Sequence, residues 1–191
     1  MKLIKHRINN KKQLKRNDVD GVELDLRFHN SDIILHHDPF QKGENFEEFL
    51  KIFSLNFIIL NIKSEGIEEE VLRLLKKYNV PDYFFLDTSI PFMVKYINRG
   101  WNKFAVRFSE YEPLELALKF KDKVEWVWVD CFTHLPLTTE SYTQLKKYFK
   151  ICIVSPELQG HNLSMIEKFK KQLSGLEIDA VCTKRPDLWV N

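Results

Sequence analysis

The sequence predicts an α/β protein, a compact (β/α)8 TIM barrel built as one domain over residues 1–191. Two observations carry that expectation. Short runs rich in branched and aromatic residues alternate with segments of helical period, as parallel βαβ units require. There are eight such runs, the number that closes this barrel, with a doubly wound open sheet as the other arrangement the alternation allows. Each unit is left about 24 residues, so the loops and some helices must be minimal.

The first run is Leu3 to Arg7, and the segment Ile8 to Gly21 after it is too short for a full crossover helix. Val22 to Phe28 is the second. Asn30 and Ser31 then make the turn of a hairpin through Ile33, before a helix near Glu47. Phe57 to Lys63 leads into a helix read from Ile67, Val71, Leu74 and Tyr78. Glu68 to Glu70 lie in its first turn and Lys76 and Lys77 in its last, matching the helix dipole. Tyr83 to Asp87 precedes a helix that Pro91 opens and Gly100 closes, with Val94 and Ile97 on one face. Phe104 to Ser109, Trp126 to Phe132 and Ile151 to Ser155 follow. Ser164 and Glu167 form a capping-box pattern before Phe169 and Leu173, and Ala180 to Thr183 is the last run.

Composition bounds the function. With 44% hydrophobic and 29% charged residues the chain is of ordinary globular type, and a net charge of +2 gives no electrostatic footprint for nucleic acid. No apolar stretch approaches the roughly 18 to 20 residues of a membrane span, and the opening Met-Lys-Leu-Ile-Lys lacks the apolar core of a signal peptide. Cys131, Cys152 and Cys182 form neither a zinc pattern nor a disulfide framework. The expectation is a reduced, cytoplasmic protein whose oligomeric state stays open.

In a parallel barrel the strand carboxyl ends and the loops after them make the reactive face. Glu23-Leu24-Asp25 alternates, so both carboxylates share one strand face, and two like charges there call for a cation such as Mg2+ or Ca2+. A solvated strand end or salt-bridge network is the plainer reading of the same pair. His6 and His37 come from different units to the same mouth, where one imidazole can take a proton while the other delivers one. His36 faces the opposite way from His37, and Asp38-Pro39 reads as a turn. Asn61-Ile62-Lys63 repeats the same-face spacing, setting an oxygen donor and a cation beside the carboxylates, with pairing to Glu23 or Asp25 as the alternative for Lys63.

These residues resemble the glycerophosphodiester phosphodiesterase family. HRINN, GVELDLRF, ILHHDPF, LNIK and DAVCTKRPD follow, in order, the family's HRG, ExD, HD and ExK motifs and its closing T-D-x-P. The resemblance implies a (β/α)8 barrel that binds a divalent cation and cleaves a phosphodiester, in many members through a cyclic phosphate. By it His6 and His37 are general acid and base, Glu23, Asp25 and Asn61 metal ligands, and Arg7 and Lys63 phosphate-side cations. A glycan- or lipid-derived phosphodiester is among the implied substrates, since the related phospholipase D toxins use a comparable arrangement. The chain departs from the family in three places: Ile8 stands for the glycine of HRG, Asn61 for the glutamate of ExK, and the excursion Phe28 to Glu44 is shorter than the usual cap, which opens the pocket toward bulky substrates.

Later strands add Arg107 and Asp130, placed to pair with each other or to contact substrate, and Glu157 and Lys184 at the last two strand ends. Asp130 or Glu157 could replace the missing ligand. Trp126 and Trp128 are expected as core beneath the helices. The basic residues Lys2, Lys5, Arg7, Lys11, Lys12, Lys15 and Arg16, without an acid among them, would draw an anionic substrate toward the first loop. Two readings compete with hydrolysis: a barrel that binds a phosphorylated metabolite or glycan without cleaving it, and a lyase using Lys63 or Lys184.

Overall fold

The computed structural model describes residues 1–14 and 19–190. It is a mixed α/β fold with one ten-stranded sheet and six α-helices among the described residues. The strands are β1 (Lys2–Lys5), β2 (Gly21–His29), β3 (Asp32–Leu35), β4 (Glu44–Asn45), β5 (Phe57–Ile62), β6 (Tyr83–Leu86), β7 (Ala105–Phe108), β8 (Trp126–Val129), β9 (Lys150–Val154) and β10 (Ala180–Thr183). The helices are α1 (Phe46–Leu50), α2 (Glu68–Lys77), α3 (Ile90–Ile97), α4 (Leu114–Leu118), α5 (Thr139–Lys146) and α6 (Ser164–Gln172).

Eight strands run parallel and coincide with the eight runs read from the sequence. β1 pairs with both β2 and β10; β2 continues to β5 and β6, and β10 to β9, β8 and β7. Between β6 and β7 the described contact is one isolated bridge, Phe85 with Phe104, so the ladder is thinnest there. β3 and β4 are the antiparallel excursion. Asn30 and Ser31 turn the β2–β3 hairpin with φ of 47° and 73°, the two positive values of a type I′ turn. Gly21 lets β2 approach β5: a Cβ there would lie 2.3 Å from the Phe57 carbonyl oxygen.

Aromatic residues fill both faces of the sheet. Trp126 packs on Phe57 and Phe84 at centroid distances of 5.4 and 4.9 Å, joining strands that are not neighbours. On the opposite face Phe85 and Phe104 meet Tyr96 of α3 and Trp101. Trp126 and Trp128 are core, but on the face the strands share, not beneath the helices. α2 buries Ile67, Val71 and Leu74 as its spacing demands. α6 departs from expectation: Ser164 is its first residue, its own amide donates to Asn162 Oδ1, and no side chain caps the helix, while a capping box forms at Thr138 and Ser141 of α5. Between β1 and β2 the described residues hold one 3-10 turn, Lys11–Gln13, and no α-helix. No helix among the described residues is long and apolar enough to cross a membrane.

Candidate active site

β2 carries Glu23 and Asp25 on the face toward the sheet interior, both essentially inaccessible at 1% and 0%. Register pairs Asp25 with Asn61 on β5. Asn61 Nδ2 donates to Glu23 Oε1 at 2.9 Å, and the Arg7 backbone N–H donates to Glu23 Oε2 at 2.7 Å. Asp25 Oδ2 accepts from Asn9 Nδ2 at 2.9 Å and lies 3.3 Å from Arg7 Nε. Asp25 Oδ1 and Asn61 Oδ1 are buried without a hydrogen-bond partner. Burial first, and then the charge of Asp25, push the Glu23 carboxyl up to about 7 despite the bonds from Asn61 and Arg7.

His6, just past β1, has its Nδ1 buried and unpartnered. Burial and the charges of Arg7 and Lys184 bring its imidazole down to about 3, so it is neutral at physiological pH. Its 3.7 Å approach to Glu23 is therefore not a salt bridge. His37 is more open, and its Nδ1 meets Asp38 Oδ1 at 2.7 Å. His36 turns instead to the backbone of Asp38. Ile8 is buried in the core, and Arg7 takes the left-handed backbone, at φ 56°.

Across the mouth runs a chain of alternating charge. Lys63 Nζ donates to Asp87 Oδ2 at 2.9 Å, and not to Glu23 or Asp25. Arg107 donates to Asp87 Oδ1 and, at 2.8 Å, to Asp130 Oδ2, while Gln159 and the Cys131 amide donate to Asp130 Oδ1. Burial would raise the Asp87 carboxyl, but Arg107 and Lys63 hold it below its ordinary value. Asp130 is thus committed to Arg107 and Gln159. Glu157 accepts from Ser155, Thr183 and the Lys184 amide, fastening the ends of β9 and β10 together.

His6, Arg7, Glu23, His37, Asn61, Lys63 and Arg107 line one cavity of about 220 Å3. Asp25 lies just beneath, joined through Arg7. Past Arg7 and His37 the cavity meets a groove of about 540 Å3 lined by Asn9, Asn10, Gln13 and Lys42. Lys15 and Arg16 of the basic N-terminal run lie outside the described residues. Among the described residues no cluster of three or more His, Cys, Asp or Glu side chains is arranged to hold a metal ion. The oxygen donors available are the two carboxylates and the Asn61 amide. Burial raises all three thiols, leaving no activated cysteine.

Two residues escaped the sequence reading. Asn9 brackets Asp25, its side chain accepting from the Asp25 amide and donating to the carboxylate. Arg27 donates from Nε and Nη2 to the His37 carbonyl and from Nη1 to the Lys63 carbonyl, at 2.6 to 3.0 Å, tying the two segments together. Its place two residues after Asp25, on the same strand face, was the available signal.

Neither a protein-family model nor a curated protein matches this sequence. Among solved structures the fold is similar to a glycerophosphoryl diester phosphodiesterase of Parabacteroides distasonis, with a TM-score of 0.67 and 13% identity over 98% of this chain and 84% of that one. It is equally similar to a protein of Agrobacterium tumefaciens assigned to the same activity, with a TM-score of 0.67 and 13% identity over 98% and 94% of the two chains. The resemblance read from the motifs thus reappears in the fold.

Proposed function

We propose that this chain is a phosphodiester hydrolase, one domain on a (β/α)8 barrel closed through the Phe85–Phe104 bridge, which works by two-histidine acid and base chemistry. The observation that carries the reading is the opening of His6 and His37 onto one small cavity together with Arg7, Lys63 and Arg107. His6 is assigned the base: its Nε2, on the cavity side beside Glu23, takes a proton from water as the water oxygen bonds to phosphorus. His37, oriented through Nδ1 by Asp38, presents Nε2 to the leaving oxygen and protonates it as the phosphorus–oxygen bond breaks. The balance is phosphodiester plus water giving phosphomonoester plus alcohol. Arg7, Lys63 and Arg107 hold the phosphoryl oxygens, and Asp87 fixes the two cations of the far wall.

The donor set also fits a hard divalent cation, Mg2+ or Ca2+. Asp25 Oδ1 and Asn61 Oδ1 are bare oxygens on register-paired residues, and Glu23 stands beside them. Glu23, Asp25 and Asn61 would hold the ion, which when bound neutralises the carboxylate pair and stabilises charge on phosphorus. With an amide in place of a third carboxylate its hold is weaker. Turnover of a panel of phosphodiesters, with Mg2+, Ca2+ or EDTA, tests the reading. His6→Ala and His37→Ala should each abolish it in a folded protein, and full activity in either sinks the assignment.

A second reading keeps phosphate binding without cleavage, and what favours it is Asn61 on Glu23 Oε1 where the family has an acid. It predicts ester binding with no product and no dependence on the histidines. The engagement of Lys63 with Asp87 speaks against its use as a lyase nucleophile.

A further inference from the structure

A second cavity lies between the β2–β3 hairpin, the start of α1 and the first two turns of α2. It holds about 530 Å3, against about 220 Å3 for the catalytic cavity, and shares no lining residue with that cavity or with the groove outside it. That size is ordinary for a small-molecule site. Its walls are tied together in the free protein: the Phe28 amide donates to Ser64 Oγ at 3.2 Å, and Arg27, one residue earlier, donates to the Lys63 carbonyl. Buried Ile33, Ile67 and Leu74 give the cavity an apolar floor, and Phe28, which lines it too, is 59% exposed. A preformed cavity of this kind favours a ligand with an apolar body.

The polar lining sets the sign of the ligand's charge. Asp32, Glu47, Glu65 and Glu70 line the cavity, and no lysine, arginine or histidine does. Lys77 and Tyr78 hold the Glu47 carboxyl, and Arg73 that of Glu70, below the ordinary range, so both are ionised. Each of these two has one cation beside it, Lys77 or Arg73. Asp32 and Glu65 are exposed and, among the described residues, take no hydrogen bond or ion pair from a side chain. Counting Lys77 and Arg73 in full therefore still leaves two carboxylates uncompensated. The neighbouring charges do not alter this: Glu69 pairs with Arg99, buried Glu68 accepts from Tyr96, and His29, opposite Asp32 in the hairpin, does not line the cavity. A neutral or anionic ligand would strip water from these carboxylates and give nothing back, whereas a cation on an apolar body meets both floor and rim.

We propose that this cavity binds a small organic cation, an amine carried on an aryl or alkyl body, with the body against Phe28, Ile33, Ile67 and Leu74 and the ammonium at Glu65. The site is separate from the catalytic cavity and does not depend on the hydrolase reading above. Amide NMR of the isotope-labelled whole chain tests it. Phenylbutylamine should give saturable shifts at residues 28 to 33 and 64 to 74, which line or flank the cavity. It should bind about ten-fold more tightly than phenylbutanol, which has the same shape without the charge, and phenylbutanoate should bind more weakly still. Glu65→Gln should weaken the amine about three-fold. Glu65→Lys, which places a cation in the cavity, and Phe28→Ser, which removes the exposed ring, should each weaken it further. All three positions changed are on exposed side chains, so the variants should keep the wild-type melting temperature. The absence of saturable shifts at millimolar amine, or equal binding of the amine, the alcohol and the carboxylate, overturns the proposal. So does amine binding that is unchanged in both Glu65→Lys and Phe28→Ser. Shifts centred on His6, His37 and Lys63 would overturn it as well, since the amine would then occupy the catalytic cavity.

Discussion

Asn61 donates its side-chain amide to Glu23 across 2.9 Å while its own carbonyl oxygen stays buried and unpartnered. One residue thus satisfies half of a buried acid and leaves an oxygen bare beside Asp25. Replacing it with a carboxylate trades that donor for a third negative charge. Asn61→Glu should raise divalent-ion affinity at least about ten-fold by titration calorimetry. Without metal it should melt lower, because no donor then meets Glu23 Oε1. An unchanged affinity would remove position 61 from the ligand set.

The histidines differ in setting and should differ in what rescues them. His37→Ala and His6→Ala should each lower kcat by about 100- to 10,000-fold with little change in melting temperature. A substrate whose leaving alcohol is strongly acidic needs no protonation, so it should restore much of the rate to His37→Ala and none to His6→Ala. Equal behaviour of the two variants on that substrate would contradict the roles given them.

Arg27 is a positioning residue, acting through the carbonyls of His37 and Lys63. Arg27→Met should lower kcat more than it raises KM, and should move the pH–rate profile because His37 loses its fixed place. Arg27→Lys, whose donors all sit on one nitrogen and so cannot span both carbonyls as the guanidinium does, should recover only part. A loss of stability with an unmoved profile would make Arg27 purely structural.

Glu110 sets a pH dependence of stability away from the proposed metal ligands. Burial opposes its ionisation, but the amides of His134 and Thr133 and the Thr133 hydroxyl bring its carboxyl down to about 2 from 4.5. Its folded value lies below its unfolded one, so its contribution is full above pH 4.5 and is lost as the pH falls toward 2. Glu110→Gln should cost about 1 to 2 kcal/mol at neutral pH and flatten the acid limb of the denaturation curve. An identical acid limb in both proteins would refute this.

The strands and most of the candidate site were legible because both rest on local rules. Period two set Glu23 with Asp25 and Asn61 with Lys63, and the helical spacing from Ile67 to Tyr78 placed α2. What stayed hidden depends on segments meeting in space. Arg27 reads as an ordinary strand cation until the β2–β3 hairpin returns the His37 carbonyl to it. Lys63 has two acids at hand in the sequence motif, yet it pairs with Asp87, one strand further on, because Asn61 and Arg7 already satisfy Glu23. The capping box at Ser164 fails because the helix begins one residue earlier than the pattern implies: Leu163 is already αR and Ser164 lies inside the first turn.

The most direct test of the central claim is phosphorus NMR of a glycerophosphodiester incubated with the protein in isotopically labelled water. The account predicts that the diester resonance gives way to a phosphomonoester carrying the label on phosphorus, and that His37→Ala stops the conversion. A folded, metal-supplemented protein that leaves the diester unchanged, or one that delivers the label to the alcohol, would contradict it.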